Sequence, residues 1–136
     1  MNTPSEVKLI SLKNIVDSKG SLTIFESKKD VPFHINRCFT VKDVPENSTR
    51  GQHAHKYCEQ FVVCMNGSLN CKWHNGSKWN SCVLNNSCEG LYVPAGNWLE
   101  LMFEEKNIIV MVLCDQPYRE DDYVRDWEIF KSTYIK

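Results

Sequence analysis

The chain has 136 residues, 42% of them hydrophobic, and a formal net charge of −1 from 16 basic and 17 acidic side chains. That length suits one domain, 1–136, with a core of its own. No basic stripe marks a nucleic-acid surface, no apolar run approaches a membrane span, and Met1-Asn2-Thr3-Pro4-Ser5-Glu6 is not a signal peptide, so a cytoplasmic protein is expected.

In chain order the signal is β nearly to the end. Val7 to Ile10 and Ser21 to Phe25 read as short strands around an Asp17-Ser18-Lys19-Gly20 turn. Asn36 to Val41 is a further strand, followed by a loop over Asp43 to Ser48. Arg50 to Glu59 carries the densest chemistry. His53 and His55, two apart on a strand, share one face, and Glu59 joins them there unless a bulge intervenes. Gln60 to Met65 is a near-continuous apolar run closed by Asn66-Gly67. Leu69, Cys71 and Trp73 alternate with polar partners, and Asn75-Gly76 signals a hairpin into Lys78 to Leu84. Gly90 to Val93, Trp98 to Phe103 and Ile108 to Cys114 complete the strands. Many short, closely spaced strands imply a jelly-roll sandwich or barrel. Over Asp121 to Lys131 the period changes. Tyr123, Val124, Trp127 and Phe130 fall at helical spacing, with Asp121 or Asp122 available as N-cap, and predict a short C-terminal helix packed on the barrel.

Seven cysteines occur, an odd number without a Cys-x-x-Cys, and most lie in strand-like segments. They are expected as small buried residues rather than as a disulfide framework or a zinc site.

The pattern Gly51-x-His53-x-His55 followed by Glu59 is the first half of a cupin metal motif, and Gly90 to Leu99 matches the second half with Leu99 where the last ligand belongs. The two histidines titrate near neutrality and can serve as base and acid on adjacent atoms of one substrate. His53, His55 and Glu59 could hold a metal with open positions, but the ligand missing at Leu99 favours no metal and no cofactor. Arg50 can pair a phosphate bidentately, with Arg37 and Lys19 sharing that task. Glu59 could orient a histidine or accept a substrate hydroxyl. Tyr92 and Trp98 flank the second motif, as pocket lining or as core.

With these residues in place the chain resembles the bacterial nucleotide-sugar 3,4-ketoisomerases, which are metal-independent cupins. The resemblance runs through Asp17 to Leu22, Pro32 to Arg37, Arg50 to Lys56, Glu59-Gln60, Asn66 to Ser68, Gly90 to Val93, Trp98 to Glu100, Met111 to Leu113 and Asp121 to Arg125. It implies an all-β cupin barrel with a short C-terminal helix. It implies movement of the ketone of dTDP-4-keto-6-deoxyglucose from C4 to C3 through an enediol, with His53 and His55 relaying the proton. The product would feed 3-amino-3,6-dideoxy sugars of surface glycans such as O-antigens and S-layer glycans. A homodimer exchanging N-terminal strands is implied as well. Arg50, Arg37, Lys19, Glu59, Tyr92 and Trp98 are then the substrate-binding set.

The chain departs from the family pattern where Phe39 replaces a tyrosine, Lys19 an arginine, and Leu99 a histidine or arginine. Two other readings stand beside the isomerase: a nucleotide-sugar-binding or regulatory cupin without chemistry, and a metal-dependent cupin enzyme. The dTDP-sugar 3,5-epimerases share the broad fold, but Arg50 to His55 and Asp122 to Arg125 favour the ketoisomerases.

Overall fold

The computed structural model describes residues 6–135. Twelve strands run β1 Lys8–Ser11, β2 Asn14–Asp17, β3 Gly20–Thr23, β4 Arg37–Val41, β5 Ser48–His55, β6 Gln60–Asn66, β7 Leu69–His74, β8 Trp79–Leu84, β9 Glu89–Val93, β10 Trp98–Phe103, β11 Ile109–Cys114 and β12 Tyr123–Val124. A 3-10 turn, Glu120–Asp122, precedes β12, and helix α1 spans Trp127–Tyr134. One antiparallel sheet has the order β1-β9-β6-β11-β4 and the other β12-β5-β10-β7-β8, while β2 and β3 pair only with each other. Two five-stranded sheets enclosing one core give the cupin-like jelly roll.

The inner faces follow from strand alternation. Val62 and Cys64 of β6, Leu91 and Val93 of β9, Leu99, Leu101 and Phe103 of β10, and Val110, Val112 and Cys114 of β11 form the main core. The unbroken apolar run of β6 has a physical reason. Its other face, Phe61 and Val63, is also buried, beneath Leu12, Val31 and Phe33. Gly90 makes that second layer fit, because a Cβ there would stand 2.0 Å from the Phe61 ring.

Helix α1 covers the outer face of the second sheet. Phe130 packs with Ala54, Trp98 and Val124. The helix starts later than its spacing predicts. Asp126, not Asp121 or Asp122, is the N-cap, accepting from the backbone N–H groups of Glu128 and Ile129 at 2.8 and 3.2 Å. Tyr123 and Val124 pair instead with His55 and Ala54 of β5. All seven cysteines are free; Cys58, Cys64, Cys71 and Cys114 are buried and Cys38 is exposed. No described helix is long and apolar enough to cross a membrane.

Candidate active site

One end of the barrel interior is polar. In the first sheet the register aligns Arg37 with Cys114 and Cys114 with Gln60, and the next row inward is Phe39, Val112 and Val62. Alternation turns both rows into the barrel. A cavity between the sheets is lined by Phe39, Val41, Arg50, Gly51, His53, Gln60, Val62, Leu99, Leu101 and Val112. Its floor is apolar, and its polar groups converge toward His53. Leu99 sits directly across from His53, so the barrel presents a hydrocarbon wall where a fourth metal ligand would stand.

A bulge on β5 aims these side chains. The pairing with β10 shifts between Leu99 and Glu100, and Gly51 and Gln52 have φ of +84° and +55°. Gly51 has little room for a side chain, since a Cβ would meet the Leu99 carbonyl oxygen at 2.9 Å. The Gly51 carbonyl is itself used, lying 3.0 Å from His53 Nδ1. That carbonyl can only accept, so Nδ1 carries the proton and Nε2 is left as the basic nitrogen. Burial, and then the nearby His55, lower the pKa of His53 to about 4.

His55 lies deeper, 4% exposed, with its ring centroid 5.0 Å from that of His53. Its Nδ1 donates to Asp122 Oδ2 at 2.7 Å. The other Asp122 oxygen accepts from the N–H groups of Tyr57 and Cys58 at 2.7 and 3.3 Å. Burial lowers the pKa of His55 despite the opposing pull of Asp122. Burial works against the Asp122 charge, but the His55 and backbone donors hold its pKa below the usual value. The two shifts together describe a neutral imidazole bound to a carboxylate rather than an ion pair. His55 Nε2 is buried with no partner among the described residues.

Arg37 is half-buried at the same end, 5.5 Å from the Phe39 ring centroid and 5.7 Å from that of Tyr118. Its Nη2 donates to Cys114 Sγ at 3.5 Å. A hydrogen bond with Cys58, and then the Arg37 charge, draw the Cys114 thiol below its ordinary pKa. Tyr123 lies between the two sheets' polar groups, 5.0 Å from His53 and 4.4 Å from His55 between ring centroids.

Four of the eight residues expected at the site converge there: His53, His55, Arg37 and the exposed Arg50, which lines the cavity. Four do not. Strand β5 ends at His55, and Asp122 holds the backbone of Tyr57 and Cys58 in a turn, so alternation is broken before Glu59. Glu59 accepts instead from the Tyr92 hydroxyl at 2.5 Å, and Tyr92 packs with the outer cluster containing Phe33 and Phe61. Burial and then Glu59 raise the Tyr92 pKa, so this pair shares a held proton away from the histidines. Trp98 is buried on the outer face under α1, donating to Glu100 at 2.9 Å. Lys19 is exposed at the tip of the β2–β3 hairpin.

The donor set His53, His55 and Glu59 is therefore not assembled. His55, Cys58 and Asp122 bring ligand atoms within 4.8 Å of one another, but Asp122 is already committed to three hydrogen bonds there. Gln60, Asp122, Tyr123 and Cys114 were missed as site residues. Gln60 offered a signal, as the one polar residue opening an apolar run, and Asp122 offered one as an acid within the Asp121 to Arg125 stretch that carries the resemblance.

Known proteins share this arrangement at the level of the whole chain. A curated TDP-4-oxo-6-deoxy-alpha-D-glucose-3,4-oxoisomerase from Aneurinibacillus thermoaerophilus is 37% identical over 131 residues, covering 96% of this chain and 94% of that one. The crystal structure of QdtA, a sugar 3,4-ketoisomerase from Thermoanaerobacterium thermosaccharolyticum in complex with TDP, superposes with a TM-score of 0.90. It is 33% identical and is matched over 94% of this chain and 93% of its own. A histidine-to-asparagine variant of QdtA was crystallised with TDP-4-keto-6-deoxyglucose. WlaRA, a TDP-fucose-3,4-ketoisomerase from Campylobacter jejuni, gives a TM-score of 0.89 at 27% identity over 96% of both chains. The family model described as FdtA (WxcM-like, C-terminal) matches residues 5–134. From end to end, then, this chain belongs to the FdtA (WxcM-like, C-terminal) family.

Proposed function

We propose that this chain is a dTDP-4-keto-6-deoxyglucose 3,4-ketoisomerase working by histidine acid–base chemistry. The observation that carries the reading is the His53–His55 pair, with both Nδ1 atoms engaged, His53 lining the cavity and His55 behind it at 5.0 Å between ring centroids. The relatives that match nearly the whole chain act on, or bind, the same class of sugar nucleotide.

The reaction needs a base for the C3 proton and an acid that returns a proton to C4. His53 lines the cavity, and its depressed pKa keeps it unprotonated at neutral pH, ready to accept. The bound diphosphate brings negative charge toward the site and raises the His53 pKa toward the working range, which favours the imidazolium once formed. His55, fixed by Asp122, stands beside it as the second member of the relay. Arg50 at the cavity wall and Arg37 at its polar end are the cations available to the diphosphate. The Phe39, Val41, Val62 and Val112 surface suits the sugar's 6-deoxy carbon and excludes water from the enediol.

The working unit in this reading is a homodimer that exchanges its N-terminal hairpin. The β2–β3 hairpin pairs only with itself and exposes Ile15, Val16 and Leu22 at 49, 70 and 57%. That supports burial against a second copy, and it gives Lys19 a route to a partner's cavity.

The test is incubation with dTDP-4-keto-6-deoxyglucose in deuterated water, read by NMR. A 3-keto product is expected, with deuterium at C4 in the fraction of turnovers where the imidazolium exchanges its proton before returning it. His53→Asn should lower kcat by about 100-fold or more with the fold intact. Binding of the sugar nucleotide with no 3-keto product and no exchange at C3 or C4 would instead establish the non-catalytic cupin.

A further inference from the structure

Tyr123 belongs to the Asp121 to Arg125 segment, of which the histidine chemistry uses Asp122 alone. Pairing of β12 with β5 sets its ring against both catalytic imidazoles, 5.0 Å from His53 and 4.4 Å from His55. The Arg125 guanidinium lies 4.1 Å from the centroid of the same ring. Arg37 approaches from the opposite sheet. Burial disfavours its charge, yet Cys114 and then the Tyr123 hydroxyl hold it protonated. A guanidinium can only donate, so a hydrogen bond between the two would use the phenol oxygen as acceptor and leave the phenol proton available to a third group.

None of the ten described residues lining the cavity carries a hydroxyl, and Tyr123 stands directly behind one of them, His53. The neighbouring Tyr118 donates its hydroxyl to Glu120 at 2.5 Å and is exposed. Ketone transposition moves two protons, one between carbons and one between oxygens, and the histidines account only for the first.

The geometry points to Tyr123 as a catalytic residue that carries the oxygen-side proton from O3 to O4 of the sugar. This rests on the ketoisomerase reading given above. In the first half, His53 takes the proton from C3 and the C3–H electrons form the C3=C4 bond. The C4=O π electrons move to O4, which takes the phenol proton of Tyr123. The enediol and a phenolate result, with the Arg125 guanidinium 4.1 Å from the centroid of the phenolate ring. In the second half the phenolate takes the proton from O3–H and C3=O forms. The C3=C4 electrons take the proton held by the imidazolium onto C4. Both protein groups end as they began. O3 and O4 sit on adjacent carbons, so one phenol oxygen can serve both.

Tyr123→Phe keeps the ring against both imidazoles and removes only the hydroxyl. It should lower kcat by about 100-fold or more, with KM and affinity for dTDP within about twofold. Incorporation of 3-fluorotyrosine at position 123 should move the basic limb of the kcat–pH profile to lower pH, following the more acidic phenol. A ring that only packs would move neither. Tyr123→Phe turnover within about twofold of the parent, or an unmoved basic limb, overturns the assignment. A parent chain without turnover overturns the ketoisomerase reading itself, and this inference falls with it; an active parent with a fully active Tyr123→Phe overturns the inference alone.

Discussion

Burial holds the pKa of His53 near 4, and this affects stability as well as chemistry. The folded-state value lies below the unfolded value of 6.5. Above pH 6.5 both states are neutral and nothing changes. Below it, the unfolded chain takes a proton that the folded chain refuses, so stability falls as the pH drops from 6.5 toward 4. His55 is shifted in the same direction and adds to the fall. Urea midpoints measured across that window should decline, and His53→Asn should make the decline shallower. An identical slope in both proteins would show that burial does not hold His53 neutral. The same residue illustrates what sequence can and cannot deliver. Two histidines at i and i+2 on a strand were readable as neighbours on one face. The distinction between them was not, because the Gly51 carbonyl and the Asp122 carboxylate that fix their tautomers come from a bulge and from a residue 67 positions away.

At the scale of elements, the outer layer supports the inner one. Ala54 and Val124, which α1 covers, alternate along the chain with the inward His53, His55 and Tyr123. Phe130 is fully buried over them. Phe130→Ala should therefore destabilise the protein by about 3–5 kcal/mol and speed hydrogen exchange at the amides joining β12 to β5. Fast exchange confined to α1, with β12 unchanged, would show that the helix does not brace the site. The strand pattern was legible because each short segment alternates or turns at Gly and Asn. The helix start was not. Tyr123, Val124, Trp127 and Phe130 fit a helical period, but Asp122 is bound by His55 and by two backbone N–H groups, which pulls the next two residues into the sheet. The same carboxylate folds the turn that turns Glu59 away. One long-range contact thus accounts for both misplacements.

At the scale of the whole molecule, the β2–β3 hairpin is the part that does not explain itself. A two-stranded ribbon is marginal alone in water, and three of its apolar side chains face solvent. Sedimentation should give a mass about twice 15.8 kDa, the mass of one chain. Val16→Asp with Leu22→Asp should shift it toward the monomer while far-UV circular dichroism is preserved. A parent protein that sediments as a monomer at micromolar concentration would remove the dimer from the proposal, and with it any part for Lys19 in the cavity.

The displaced residue on β5 reverses parity. Arg50 and His53 are three apart, an odd interval that a regular strand would send to opposite sides, yet both border the same cavity. One inserted position reconciles a phosphate-binding cation with an imidazole. Flattening that bulge into a regular strand, with no residue removed, would leave every side chain chemically intact and still turn either the cation or both histidines outward.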